Sequence, residues 1–347
     1  MKIHRPSLHP SGLTLLELLV VLTILVVLST VAITSTSGVA DQARYEATQR
    51  TLENIRDAVI GPANLRDSDG SLLITGFLAD MGRLPHATAE AVTGGNVFTL
   101  RELWENVNGV AAHAVRQASS ANVDLATEAD DEVYLATGWR GPYLQLPPGN
   151  MTLRDGWAAE FVTPDGVVNG YPNALLRNPT GVDITAAGQS IGQVNSFGAN
   201  AIENVANVGY DRDLNVVFST AQITAQAAVT VQIVKSDGTP ATPPANGDHA
   251  DIIVRVFGPN SNNGLIKVDV DAEEFEENNS TPPFTISTRL ISFNDLTPGP
   301  HVVRAYYDGN RDGYHTSDPL DRASSAMNVI IRPGGNFFTI ILRSPVP

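Results

Sequence analysis

The chain has 347 residues, 22 Lys and Arg against 37 Asp and Glu, a formal net charge of -15 and a pI near 4.8. Only three of its cations are lysines, and no basic cluster offers the phosphate-tracking surface that nucleic acid requires, so nucleic acid is not expected as a partner. Cysteine is absent, which excludes disulfides and thiolate zinc sites and leaves the redox compartment unread.

The length suggests two folded modules beyond any anchor. The first element is an apolar run, Leu13 to Ile33, interrupted by one charge, Glu17. At about 1.5 Å per residue, a helix over this run is roughly 30 Å long and matches a bilayer's hydrocarbon core. Lys2 and Arg5 precede it and the next charge is Asp41. The positive-inside bias therefore predicts a single-pass protein of the bacterial inner membrane, with the N-terminus cytoplasmic and the remainder periplasmic. A secretory signal fits less well, because its apolar region is shorter and ends at a small-residue cleavage site that Val31-Ala32-Ile33 does not supply.

Gly12-Leu13-Thr14-Leu15-Leu16-Glu17, followed by Leu18-Leu19-Val20-Val21, resembles the processing site of type IV prepilins and type II secretion pseudopilins. The resemblance implies a leader over residues 1–12, cut by prepilin peptidase between Gly12 and Leu13, with methylation of the new Leu13 amine. It also implies an assembly role for Glu17, whose partner would be the Leu13 amine of a neighbouring subunit. A carboxyl at bilayer depth costs roughly 2.5–3.5 kcal/mol and is kept where it finds a partner. The bland alternative is an uncleaved signal anchor with a chance glutamate. Leu13 stands where phenylalanine is commoner in the family, and Thr34 where many members carry a helix-kinking proline.

Ala40, Ala43, Ala47, Thr51, Ile55 and Val59 recur at helical spacing, and Gly61-Pro62 is a stop signal, so residues 13–60 are predicted as a transmembrane and stem helix. Thr34 to Gly38 is a predicted weak point in it. Residues 61–220 read as a small α/β head. Thr99-Leu100-Arg101-Glu102 has the form of a capping box opening an amphipathic helix with Leu103, Trp104 and Val107 on one side.

The segments Gly82-Arg83-Leu84-Pro85, Gly138-Trp139-Arg140-Gly141-Pro142-Tyr143 and Asp155-Gly156-Trp157 are similar to those of prepilin-like proteins related to the major pseudopilin. Ala158-Ala159 replaces that group's usual Gly-Asn pair, which puts its tight turn in question. Trp139, Tyr143 and Trp157 are expected in the core rather than on a ligand platform. The resemblance further implies a calcium loop: Ser196 to Asn200 and Tyr210 to Asp213 resemble its flanks, with Asp211 and Asp213 as carboxylate ligands, against the alternative of a solvated loop.

Residues 221–347 change composition to short alternating apolar strands between turn residues, with Val229, Val231 and Ile233 in one and Ile252, Val254 and Val256 in another. Ile286, Val302 and Ile340 lie in similar runs. An antiparallel β-sandwich of about seven strands is predicted, and Phe293 to Gly299 before a strand resembles transthyretin-like or immunoglobulin-like accessory domains. The overall class is α+β.

Asp308-Gly309-Asn310-Arg311-Asp312-Gly313 fits a cation-loop pattern with Asp308, Asn310 and Asp312 as side-chain ligands and the Tyr314 carbonyl as a fourth. Pro319 occupies the usual glutamate position, so Asp318 or Asp321 would substitute only if the loop folds back. The alternative is an Asp/Gly-rich turn without metal. The acidic run Asp269 to Glu277 reads as a solvated edge.

No catalytic motif is present and the histidines are scattered, so an enzyme is not expected. The predicted role is a structural subunit of a type II secretion pseudopilus. Its expected partners are prepilin peptidase, sister pseudopilins and its own copies in a helical filament, and the inner-membrane assembly platform. The alternative is a minor type IV pilin or surface adhesin whose β-domain binds a ligand. A membrane-anchored binding protein that never polymerises is a third class.

Overall fold

The computed structural model describes residues 14–344 apart from 67, 69, 71, 93–94, 108, 119–132, 147–151, 164–166, 169–170, 204–208, 243–249, 276–287 and 312–317, with side chains also undescribed at 32–37, 92, 167–168 and 171–174. Helix α1 (Leu15–Val59) begins at Thr14 and continues without a break through 34–38, where the sequence suggested a weak point. It ends on Ile60, whose N–H bonds the Arg56 carbonyl at 2.9 Å, and on Gly61 at φ +108°. A side chain at Gly61 would collide with Thr75 as the chain folds back along the helix, so both geometry and space demand glycine.

The upper half of α1 buries Thr48, Leu52, Ile55, Ala58 and Val59. The expected stripe is corrected in part: Ala40, Ala43 and Ala47 are exposed, while Tyr45 is half-buried. The larger side chains Tyr45 and Leu52 have more apolar area to remove from water than alanines do, so they set the buried face.

Helix α2 (Phe77–Met81) is held between Gly76, pressed on the Ala58 and Val59 carbonyls, and Gly82 at φ +65°. Then follow β1 (Thr88–Val92), β2 (Gly95–Thr99), β3 (Ala114–Gln117), β4 (Tyr134–Thr137), β5 (Glu160–Thr163), β6 (Val167–Val168), β7 (Tyr171–Arg177), β8 (Gln193–Ser196) and β9 (Leu214–Val217). One sheet runs β1-β2-β5-β7-β8-β9 with β6 beside β7, and β3 pairs β4 separately. Its pairings are antiparallel except β5 with β7. Its core joins Leu52, Ile55 and Val59 of α1 to Phe77, Met81, Leu103, Phe161, Leu176 and Val194.

The helix expected after Thr99 is corrected. Thr99 ends β2 opposite Thr88, and only a 3-10 turn, Arg101–Leu103, follows. The Glu102 carboxylate accepts from Arg83 and from the His86 N–H instead of capping a helix. Tertiary pairing has overridden a local signal.

Helix α3 (Thr220–Ile223), capped by Ser219 and Gln222, leads into β10 (Ala225–Val234), β11 (Ala250–Pro259), β12 (Ile266–Phe275), β13 (Thr288–Leu296), β14 (Gly299–Asp308), β15 (Arg322–Ala323), β16 (Met327–Ile331) and β17 (Gly334–Arg343). These form two sheets, β13-β10-β17 and β12-β11-β14 with β15 and β16 on β14. The predicted alternation holds: Val229, Val231 and Ile233 share a buried cluster with Ile252, Val254, Val256 and Ile340. Val302 is buried in a separate cluster, and Ile286 lies outside the described residues. The all-antiparallel expectation is corrected at one pairing, since β17 runs parallel to β10 along its length. The chain crosses between sheets after β16, so its last strand returns alongside its first in the same direction.

The two modules touch through a third cluster, in which Ala118, Val133 and Leu135 beside the β3–β4 hairpin meet Phe257, Ile266 and Val302. Gly299 lies against Ala79, and the Ala111 N–H bonds the Asn263 carbonyl at 3.0 Å.

Candidate assembly site

Gly12 and Leu13, the expected processing residues, lie outside the described residues. Glu17 is described, and its carboxylate accepts from the Thr14 N–H at 2.9 Å and from the Thr14 hydroxyl at 3.1 Å. The Glu17 N–H returns a bond to the Thr14 oxygen at 3.3 Å, completing a capping box. Two donors that a helix start leaves unsatisfied are thereby paired, and the negative charge sits at the positive end of the helix dipole. The acid is thus held in cis by Thr14, the residue that follows Leu13 in the sequence. The sequence reading had missed Thr14, although Thr-x-x-Glu before an apolar run is the signature of such a box.

From Leu15 to Val31 the α1 side chains are exposed, so this chain alone leaves its apolar rod uncovered. Thr23 and Thr30 donate their hydroxyls to the Leu19 and Val26 carbonyls, both at 2.8 Å, which satisfies these groups within the helix. Among the described residues no helix is long and apolar enough to cross a membrane. The apolar run of the sequence overlaps the residues with described side chains only from Thr14 to Val31.

Where the rod meets the head, the Gly156 N–H donates to the Thr48 hydroxyl at 2.8 Å, and a Cβ on Gly156 would strike the Arg44 carbonyl. Asp155 organises this turn: Oδ1 accepts from the Trp157 and Ala159 N–H groups at 2.9 and 2.8 Å, and Oδ2 from the Ser196 hydroxyl at 2.6 Å. Burial pushes the Asp155 carboxyl up from its ordinary range, with these hydrogen bonds opposing it. The tight turn put in question by Ala158-Ala159 does form, with Ala158 held at φ +67°. Tyr45 meets Trp157 and Tyr210 edge-on at 6.4 and 6.2 Å between ring centres.

Trp139 and Tyr143 pack against the head core as expected, 6.0 Å apart and edge-on. The Tyr143 hydroxyl donates to Asp80 at 2.9 Å and the Trp139 indole to the Glu102 carbonyl at 2.9 Å. Asp80 also pairs with Arg140 at 3.0 Å, and its burial outweighs that cation and raises its carboxyl.

At the first expected calcium loop, Gly198 lies against the Tyr210 and Arg212 carbonyls, which brings the two flanks together. Asp211 is exposed and Asp213 half-buried. Asp213 lines a polar cleft of about 570 Å³ in which Arg177 pairs with Glu203 at 2.8 Å and Arg212 is a second cationic residue of the lining. Two cations at this cleft fit a calcium ion poorly.

At the second, Asp312 and Tyr314 lie outside the described residues. Asp308 Oδ1 accepts from the Arg311 N–H at 2.7 Å, and the Asn310 amide donates to Asp318 at 2.9 Å. The Gly309 N–H donates to Asp321 at 3.1 Å. The segment therefore folds back and brings Asp318 and Asp321 to the turn. Among the described residues no three acids or histidines converge as a metal-holding group.

Residues 9–33 match the family model for the prokaryotic N-terminal methylation motif, the hallmark of type IV pilins and pseudopilins. No curated protein and no solved structure matches the chain. The motif supports a membrane-anchored, type IV pilin-like precursor that prepilin peptidase processes and that assembles with other pilins.

Proposed function

We propose that this chain, bearing the pilin-type methylation motif, is a structural subunit of a type II secretion pseudopilus and has no catalytic role. The observation that carries the reading is the pairing of that motif with an exposed apolar rod whose one acid, Glu17, sits at the rod's first turn. In the bilayer the Thr14 donors keep Glu17 hydrogen-bonded. On assembly the Leu13 amine of an adjacent subunit supplies a full positive charge, a stronger partner than two neutral donors in a low-dielectric setting. The exchange guides register, while burial of Leu15 to Val31 against neighbouring rods holds the filament.

The head and the C-terminal β-sandwich would then stand outside the rods, on the periplasmic side of the inner membrane. The test is mass spectrometry of the protein from cells with and without prepilin peptidase. The expected result is a mature chain beginning at N-methylated Leu13 in the first and an intact Met1 start in the second. An intact leader in both would refute the reading.

A further inference from the structure

The three-stranded sheet ends on β17, which pairs with β10 over ten residues and, among the described residues, has no strand on its other side. A long unpaired edge is a template for another strand, and proteins usually blunt such edges with charge, proline or a bulge. Edge strand β12 in the facing sheet is blunted in this way, carrying Lys267, Asp269, Asp271, Glu273 and Glu274. At the other end of its own sheet, β13 carries Arg289 and Asp295, the latter at φ +59°. From Gly334 to Leu342, β17 has no charge, no proline and no register shift against β10. Its outward side chains include Phe337, 84% exposed, and Ile341, 60% exposed.

We propose that β17 is the pairing edge for β17 of a second copy, antiparallel about Thr339, so that two three-stranded sheets become one of six. The strand is complementary to itself. Centring the pair on Thr339 sets Phe337 opposite Ile341 on the outer face and Phe338 opposite Ile340 on the inner face, each an aromatic against a β-branched side chain, and each occurs twice by symmetry. Arg343, the only charge on β17, falls opposite Gly335 rather than its own copy.

Charge selects the same edge. Two copies, each of formal charge -15, repel through most of their surface, and this strand can approach its copy without setting like charges against each other. Such a twofold contact joins two copies and stops there, so it is separate from whatever the α1 rods do.

A cysteine placed on the dyad reads this contact directly, because the chain has no cysteine of its own. In antiparallel pairs, directly opposed Cβ atoms lie about 4.5–5.5 Å apart, near enough for a disulfide with little movement. In the full chain, in membranes and in detergent, Thr339→Cys is expected to oxidise to a homodimer roughly tenfold faster than Gln226→Cys, which is exposed on the central strand of the same sheet. Adding Phe337→Lys and Ile341→Lys should remove that advantage while leaving the thermal unfolding midpoint unchanged, since both side chains project into solvent. Equal rates at residues 339 and 226, cross-links to a different polypeptide, or a homodimer cross-link insensitive to the two lysines would overturn the proposal. A failure of rod assembly would leave this readout intact.

Discussion

Arg83 and Glu102 form a bidentate ion pair, at 2.8 and 3.0 Å, with both side chains almost wholly buried beside the contact between head and β-domain. Arg83 also donates to the Ser261 carbonyl at 2.7 Å and lies over the Phe77 ring, while Glu102 accepts from the His86 N–H at 2.7 Å. One guanidinium thus ties together α2, the turn after β2 and the β11–β12 loop.

Removing either partner strands a buried charge, which typically costs about 3–5 kcal/mol. Arg83→Ala and Glu102→Ala are each expected to lower the unfolding free energy by that amount in denaturant titration, and the double variant to lose less than the sum. Strictly additive losses would show that the pair is not coupled.

At the stem junction, Ala158 occupies a left-handed conformation that costs a residue with a Cβ roughly 1 kcal/mol. Ala158→Gly should stabilise the head by about 0.5–1 kcal/mol, read by the same titration. Gly156→Ala should do the opposite and expose Trp157, seen as a red shift of its fluorescence, because the new methyl group meets the Arg44 carbonyl.

Much of this was legible in the sequence and some was not, for identifiable reasons. The end of α1 at Gly61 and the inward positions Val229, Val231 and Ile233 follow from one-dimensional signals, a stop and a period of two. The false helix after Thr99 arose because Glu102 has a stronger partner nineteen positions away, and the Arg83 link to Ser261 spans 178 positions. No local pattern encodes such contacts. Of the expected α1 stripe Ile55 and Val59 are buried but the three alanines are not, because the larger Tyr45 and Leu52, which lie outside that spacing, have more apolar area to remove from water. The Thr14 cap is legible as Thr-x-x-Glu, a pattern overlaid in the same six residues by the cleavage signature and the apolar run.

His301 is fully enclosed, bonded through Nδ1 to the Gly299 carbonyl at 3.1 Å with Gly258 against its ring, and burial lowers its pKa to about 4. Asp269 opposes this shift and Lys267 adds to it, both to a smaller degree. Because the folded value lies below the ordinary 6.5, the fold loses stability as pH falls from 6.5 toward 4, by roughly 3 kcal/mol in all. Asp80 and Asp155, raised by burial, act with the opposite sign: their contribution is lost as pH rises from 3.8 through their folded values. His86, whose pKa burial and the neighbouring Arg83 also lower, acts in the same direction as His301, so between pH 7 and 5 the two histidines govern. Unfolding free energies measured across that range should fall for the native chain and fall less steeply for His301→Asn, in which His86 still titrates; parallel curves would exclude His301 as a cause.

Calcium is proposed for the 308–321 turn in preference to the 211–213 loop, since Asp318 and Asp321 fold back to it and the guanidinium of its own Arg311 is drawn off by Asp251 and Glu274. With affinity typical of extracellular modules, 10 mM calcium should stabilise the protein by roughly 1.4–2.7 kcal/mol. Asp308→Asn with Asp321→Asn should abolish that increment, whatever it does to the metal-free fold. Identical unfolding midpoints in calcium and in chelator would leave the segment as a hydrogen-bonded turn.

The most direct measurement is the fraction of the chain recovered in sedimentable filaments when Glu17→Ala is expressed beside the secretion apparatus, with leader removal checked by mass. The native chain should enter filaments, and the variant should be cleaved at Gly12 yet stay in the membrane fraction, at a tenth or less of the native yield. A cleaved variant that enters filaments as fully as the native chain would contradict a role for this acid in drawing the rods together.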